Sequence, residues 1–199
     1  TGDVFGEGVT LNNIGLVNQQ QGQYAKALDN YLESIRISEK IGNRQTQGVT
    51  LSNIGLIYYF RGQYSKALEY FQQALEMNRK LGDVKQEGIT LGNVGKLYSH
   101  LGQYSRGLEY YERSYKIREK IGDTKGRADA LGSIAYMHAQ QGNYDEAIKA
   151  ASESLEIKKR IGVPIKVITD NIANYYIDTG NMTMAEPLAK QSGYYSTQG

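Results

Sequence analysis

The sequence predicts an all-α protein built as a solenoid, a row of stacked antiparallel helix pairs. Three observations predict this class. Glycines recur every 40 residues in two series, apolar residues between them follow helical spacing, and only 2 Pro accompany the 23 Gly. Repetition at such a period is typical of arrays in which each unit packs only on its neighbours.

The repeat is marked by an inner and an outer series of glycines. The inner series is Gly22, Gly62, Gly102 and Gly142, and the outer series is Gly2, Gly42, Gly82, Gly122 and Gly162. A fifth, shorter copy follows, because Gly162 and Gly180 are 18 residues apart where Gly122 and Gly142 are 20 apart. The sequence therefore predicts one array over residues 1–199, with repeats at 3–42, 43–82, 83–122, 123–162 and 163–199. Since residues 1–4 align with residues 81–84, we expect the array to be a fragment of a longer protein.

Each repeat is expected to contain two helices. In the second copy Leu51, Ile54 and Tyr58 lie on one helical face before Gly62, and Ala67 and Phe71 begin a second apolar face after it. The first helices are predicted near 5–20, 44–61, 84–101, 124–141 and 164–179, and the second near 24–41, 64–81, 104–121, 144–161 and 183–192. The connection around each inner Gly is three or four residues, so the two helices must pack antiparallel. Pro187 is expected to interrupt the last helix.

Glycines inside the predicted helices need a physical reason, because each costs about 1 kcal/mol against Ala. Two positions accept only Gly or Ala: one holds Gly15, Gly55, Gly95, Ala135 and Ala173, and the other holds Gly8, Gly48, Gly88 and Ala128. We expect a neighbouring helix to approach too closely there for a larger side chain. The recurring tyrosines, such as Tyr58 and Tyr98, are interpreted as packing residues between the helices.

The repeated residues resemble the tetratricopeptide repeat. The second copy carries the family's pattern as Leu51, Ile54, Gly55, Tyr58, Gly62, Ala67, Phe71 and Ala74. The family's early Trp is Leu here, its closing Pro is absent, and the unit is 40 rather than about 34 residues. This longer unit is similar to repeats of spindle-orientation adaptors, kinesin light chains and bacterial signalling proteins. The resemblance implies a right-handed superhelix that binds a peptide or protein segment in a concave groove lined by the first helix of each repeat.

The inner glycines, with Gly180, place candidate groove residues within that resemblance. Nine residues before them lies a polar ladder, defined as Asn13, Asn53, Asn93, Ser133 and Asn171. Asn is a mediocre helix former whose amide can pair with both polar groups of a peptide bond. We expect the ladder to contact the ligand backbone; alternatively, it bridges neighbouring first helices.

The position six residues before each of these glycines varies, as a selectivity surface would. It holds Leu16, Leu56, Lys96, Tyr136 and Asn174, and Tyr59 lies three before Gly62. We expect a ligand with apolar anchors near Leu16, Leu56 and Tyr59 and an acidic group near Lys96. Two other functions stay open: a structural spacer or self-association module, with the exposed N-terminal end pairing with another copy, and the sensor array of a bacterial regulator that binds a small signalling peptide.

Composition argues against several other functions. Two isolated His and no Cys favour neither a metal site nor catalysis, and no cofactor is expected. The 23 basic and 21 acidic residues are mixed along the chain, which does not favour nucleic-acid binding. No apolar run approaches the roughly 18 residues of a membrane span, so we expect no membrane insertion and a cytoplasmic location.

Overall fold

The computed structural model describes residues 4–192 and is helical over that range apart from turns. Its helices are α1 Val4–Gln20, α2 Tyr24–Lys40, α3 Arg44–Phe60, α4 Tyr64–Leu81, α5 Val84–His100, α6 Tyr104–Lys120, α7 Thr124–Gln140, α8 Tyr144–Arg160, α9 Lys166–Asp178 and α10 Met182–Ser192. Each bound lies within two residues of the predicted one, and residues 4–192 contain no strand. The predicted all-α class of successive helix pairs is confirmed.

The chain divides into two compact units, Thr1–Leu97 and Tyr98–Gly199. The first unit contains α1 to α4 and most of α5, and the second contains α6 to α10. The continuity of all five repeats in a single array stays a prediction.

The turns follow the two glycine series. All nine glycines that close a helix in the described residues adopt positive φ, between 67° and 77°. At Gly82 the left-handed conformation lets the Gly82 amide donate to Arg79 O and the Asp83 amide donate to Asn78 O, at 3.1 and 2.9 Å. A side chain with a Cβ rarely adopts this conformation, which explains the 40-residue recurrence. Gly2 lies outside the described residues.

The glycines inside the helices lie against large side chains, as predicted. A Cβ on Gly55 would lie 2.6 Å from the ring of Phe71, and one on Gly15 would lie 2.6 Å from the ring of Tyr31. A Cβ on Gly48 would overlap Asn78 Oδ1. These glycines therefore allow two helices to approach closely, at the cost of helix propensity.

The core repeats with the same period. In the first unit, Ala27 and Tyr31 of α2 pack with Ile54 and Ile57 of α3, and all four are buried. In the second unit, Ala151 and Leu155 of α8 pack in the same way with Ile168, Ile172 and Tyr175 of α9. The second helix of one pair thus covers the first helix of the next.

Tyrosines fill the space between paired helices. Tyr58 stacks on Tyr70 with ring centroids 5.3 Å apart, and Tyr98 stacks on Tyr110 at 5.4 Å. Their predicted packing role is confirmed.

The expectation that Pro187 interrupts the last helix is wrong. Pro187 lies inside α10, which continues to Ser192. Proline removes the hydrogen bond to the carbonyl four residues earlier. Here that carbonyl belongs to Thr183, an exposed residue, so water can take the place of the missing donor.

Candidate peptide-binding surface

The first helices of unit one carry seven of the predicted site residues. Asn13 and Leu16 lie on α1, Asn53, Leu56 and Tyr59 on α3, and Asn93 and Lys96 on α5. The helices α1, α3 and α5 are neighbours, because side chains on adjacent helices of this set form direct hydrogen bonds. All seven residues are exposed or half-buried.

The ladder residue Asn53 bridges two first helices. Its Nδ2 donates to Asn12 Oδ1 on α1 at 3.1 Å. The buried hydroxyl of Thr50 donates to the same oxygen, also at 3.1 Å. Asn12 therefore accepts two hydrogen bonds from α3, and this polar cluster connects the first two repeats.

The same arrangement recurs more weakly one repeat later. Asn93 Nδ2 donates to Ser52 Oγ at 3.4 Å, and Thr90 Oγ1 donates to Ser52 Oγ at 3.3 Å. The alternative role of the ladder, bridging neighbouring first helices, is thus observed at Asn53 and Asn93. Sequence reasoning did not single out the acceptors Asn12 and Ser52, although both are polar and lie 40 residues apart.

The remaining ladder residues behave differently. Asn13 is exposed on α1, where no preceding first helix lies within the described residues. Ser133 donates to the carbonyl of Asp129 in its own helix at 3.1 Å. Asn171 is half-buried on α9. The ladder is a shared position in the repeat whose hydrogen bonding changes along the chain.

An aromatic cluster with a lysine lies at the C-terminal end of α3. Lys96 Nζ is 5.2 Å from the ring centroid of Tyr59 and 5.4 Å from that of Phe60. Tyr24 stacks on Phe60 at 5.6 Å with nearly parallel rings. Lys96 and Phe60 are exposed, so the ammonium group is held over two rings while it stays open to solvent.

The aromatic rings of this cluster attract the ammonium group of Lys96. Burial raises the pKa of Tyr59, and the neighbouring Tyr64 raises this pKa further. Tyr59 therefore stays a neutral phenol at physiological pH, and the face of its ring attracts the Lys96 ammonium. The sequence predicted Tyr59 and Lys96 as site residues but missed Phe60, which contacts the same cation.

In unit two, the predicted site residues lie on α7 and α9. Ser133 is half-buried, and Tyr136, Asn171 and Asn174 are exposed or half-buried. Next to them, Tyr175 has a buried hydroxyl that makes no hydrogen bond within the described residues. Burial raises the pKa of Tyr175 to about 12, and Tyr136 and Asp178 contribute to the shift. This phenol was not predicted, because its position in the other copies holds the aliphatic residues Ile57, Leu97 and Met137.

The two histidines lie on different helices, His100 on α5 and His138 on α7. His138 is half-buried and lies in the register of Tyr58 and Tyr98. No three His, Cys, Asp or Glu side chains within residues 4–192 lie close enough together to hold a metal ion. None of the helices in that range combines the length and the apolar character needed to cross a membrane.

Comparisons with known proteins show which folds and families this chain is similar to. A search of curated proteins found no match. Among solved structures, the chain is similar to BtubC (BKLC) from P. vanneervenii, with a TM-score of 0.84, 16% identity, and coverage of 94% of this chain and 79% of that one. It is also similar to a Signal Transduction ATPase with Numerous Domains that has a tetratricopeptide repeat sensor, from Pyrococcus horikoshii, with a TM-score of 0.82, 23% identity, and coverage of 96% and 30%.

A third similar structure is a Rap protein complexed with competence and sporulation factor. Its TM-score is 0.78 at 14% identity, and the match covers 94% of this chain and 53% of that one. At these identities the similarity concerns the fold. The sequence itself matches the family model for the tetratricopeptide repeat at residues 7–80 and 86–160. That family consists generally of non-catalytic scaffolds that bind proteins or peptides. The match covers most of the chain, and the chain therefore belongs to the tetratricopeptide repeat family.

Proposed function

We propose that this chain is a non-catalytic scaffold that binds a peptide or protein segment along its first helices. The observation that carries the proposal is the contrast between faces of α1, α3 and α5. Residues facing the core repeat with little change, whereas the exposed or half-buried position six residues before each inner Gly changes from Leu16 and Leu56 to Lys96. A surface that varies on a constant core is suited to recognition. The similarity to a Rap protein complexed with competence and sporulation factor supports this function.

The ladder can form only a few hydrogen bonds with a ligand. Asn53 and Asn93 each use one N–H of Nδ2 to bridge helices, so Oδ1 and the second N–H of each are left to pair with a peptide backbone. The exposed Asn13 has both its donor and its acceptor for the same purpose. Three such hydrogen bonds contribute about 1.5–4.5 kcal/mol in total, which is too little for tight binding. Side-chain contacts must supply the rest.

Those contacts define the class of ligand. Leu16 and Leu56 offer apolar surface, and Lys96 offers an ammonium group that two rings already hold in place. A peptide with an apolar side chain followed by an Asp or Glu matches this order. Holding the ammonium group over the rings reduces the entropy that a long lysine side chain loses when it pairs with a carboxylate.

The second unit offers a separate set of residues, comprising Ser133, Tyr136, Asn171 and Asn174. This set is more polar than the first and has no cation comparable to Lys96. We propose it as a further contact surface for the same class of extended ligand.

The test is a peptide selected from a random display library against the 199-residue chain. Its affinity is then measured by fluorescence anisotropy for Lys96→Glu and for the matched control Lys66→Glu. Lys66 also lies over a tyrosine ring, 5.4 Å from the centroid of Tyr58, but on the second helix α4. We expect Lys96→Glu to weaken binding about tenfold or more and Lys66→Glu to change it less than about twofold. Equal effects of the two variants, or a library that yields no binder, would contradict the proposal.

A further inference from the structure

A cleft of about 260 Å³ lies in the first unit, where α2, α3 and α4 meet. Ile35, Leu51 and Met77, one from each of these helices, give it an apolar lining. Glu39 and Gln47 add polar groups to the same lining. We call the space lined by these five residues the α2–α4 cleft. None of the five belongs to the candidate peptide-binding surface, so the cleft is a separate feature of the molecule.

The side-chain amide of Gln47 is a buried polar group without a partner. Gln47 is only 9% exposed, and its side chain forms no hydrogen bond with the other described residues. Buried amides in folded proteins almost always pair with a protein group, a water molecule or a ligand. Because Gln47 lines the cleft, its amide is available to a group that enters there.

The corresponding positions 40 and 80 residues later carry ion pairs between helices. Arg79 Nε of α4 lies 2.7 Å from Glu87 Oε1 of α5. Arg127 Nη1 of α7 lies 3.9 Å from Glu119 Oε1 of α6. In both cases a guanidinium group joins the second helix of one pair to the first helix of the next.

The α2–α4 cleft has the carboxylate of such a pair but no guanidinium group. Glu39 is in the register of Glu119, whereas the uncharged Gln47 takes the place of Arg127. Glu39 forms no ion pair with the other residues that the structure describes. Lys80 also lines the cleft, but its ammonium group pairs with Glu76 of the same helix at 2.6 Å.

We propose that the α2–α4 cleft binds an arginine side chain presented by a partner protein. The guanidinium group donates to the Glu39 carboxylate and to the side-chain carbonyl of Gln47, as charge-assisted hydrogen bonds. The aliphatic part of the arginine lies against Ile35, Leu51 and Met77. The bound arginine thereby supplies from outside the group that Arg127 supplies from within the chain.

The chemistry and the size of the cleft favour arginine. A guanidinium group is planar, has several donors and is more weakly hydrated than the ammonium group of lysine, so it enters a half-buried site at lower cost. A volume of about 260 Å³ is below the range typical of small-molecule pockets and suits a single side chain. Since Glu39 is exposed, one arginine contributes little affinity alone, and other contacts of the partner must add to it.

Nuclear magnetic resonance titration of the 199-residue chain with the peptide acetyl-Gly-Arg-Gly-amide tests this proposal. The side-chain amide signal of Gln47 and the methyl signal of Met77 should shift and saturate, with a dissociation constant on the order of 1 mM. The same peptide with citrulline, a neutral side chain of nearly the same shape, should bind about tenfold more weakly. Equal affinities for the two peptides, or an arginine peptide that shifts neither signal, would overturn the proposal.

Two cleft variants and one matched control locate the binding. Glu39→Gln removes the carboxylate and should weaken binding of the arginine peptide about threefold or more. Gln47→Arg places a guanidinium group beside Glu39, as Arg127 does beside Glu119, and should abolish binding with an unchanged helical circular dichroism spectrum. The control Glu33→Gln removes a carboxylate of α2 outside the cleft and should leave the affinity unchanged. Wild-type affinity in Glu39→Gln, or an equal loss in Glu33→Gln, would refute the assignment.

Discussion

Two neighbouring asparagines of α1 illustrate how residues of one type differ in role. Asn12 is buried and accepts hydrogen bonds from Thr50 and Asn53 of α3. Asn13 is exposed and is a ladder residue proposed to contact ligand. A helix of this kind presents one residue to the next repeat and the following residue to solvent, since adjacent positions are about 100° apart around the axis.

Asn12→Ala and Asn13→Ala should therefore have different effects. Asn12→Ala leaves the hydroxyl of Thr50 and the amide of Asn53 without their shared acceptor, and we expect a loss of about 1–3 kcal/mol in the free energy of unfolding. Asn13→Ala removes a poor helix former from an exposed site and should change that free energy by no more than a few tenths of a kcal/mol. Urea denaturation followed by circular dichroism measures both. A larger loss for Asn13→Ala than for Asn12→Ala would reverse the assignment.

At the scale of helix pairs, the two residues that meet where the helices approach most closely vary together in size. Where the first helix has Gly15 or Gly55, the second helix has Tyr31 or Phe71 in contact with it. In the fourth repeat both positions are alanine, Ala135 and Ala151, and both are fully buried. Ala173 and Ala189 repeat this in the fifth. These four pairs therefore have either a glycine and a ring or two alanines at this position.

Gly55→Ala should accordingly be destabilising in the wild type and favourable when Phe71 is small. Because the added Cβ would lie 2.6 Å from the Phe71 ring, that ring must move, and we expect a loss of about 1–3 kcal/mol. Phe71→Ala alone should cost about 3–5 kcal/mol. In that background Gly55→Ala should recover up to about 1 kcal/mol, through filled space and better helix propensity.

Gly132→Ala is the matched control for this double-mutant cycle. Its added Cβ would lie 3.7 Å from the closest neighbouring atom, in ordinary contact. We expect it to leave stability unchanged or raise it by up to about 1 kcal/mol. If Gly55→Ala were equally harmless in the wild type, the close approach of α3 and α4 would not be what requires glycine.

For the molecule as a whole, buried phenols limit stability at high pH. Burial raises the pKa of both Tyr31 and Tyr175 to about 12, one in each unit. In the unfolded chain a tyrosine titrates near pH 10. The stability that these neutral phenols contribute is therefore fully present below about pH 10 and is lost as the pH rises from about 10 to 12.

We expect the free energy of unfolding to fall over that range less steeply in Tyr31→Phe/Tyr175→Phe than in the wild type. Each phenol contributes a slope of at most about 1.4 kcal/mol per pH unit. At pH 8 the single variants should differ. Tyr31→Phe loses the 2.9 Å hydrogen bond to Gln19, which costs about 0.5–1.5 kcal/mol, whereas Tyr175→Phe loses no hydrogen bond within the described residues. Denaturation curves at pH 8, 10 and 11 measure these differences; parallel slopes for variant and wild type would contradict them.

The helices, the turns and the buried faces could be predicted from the amino-acid sequence alone. These features depend on local chemistry: glycine permits positive φ at Gly82, and apolar residues at helical spacing, such as Ile54 and Ile57, mark the side that packs. Repetition strengthened each inference, since the same position meets the same kind of neighbour in every copy. The Gly-or-Ala positions likewise predicted the close approach of the paired helices.

Which side chains contact each other depends on the packing of the helices in three dimensions. Asn53 bonds to Asn12, 41 residues away, and Lys96 lies over Tyr59 and Phe60 of the preceding repeat. Such contacts form or fail within a few tenths of an ångström to an ångström of helix offset. That offset is set by packing between helices, which the 3.6-residue period of a single helix does not encode.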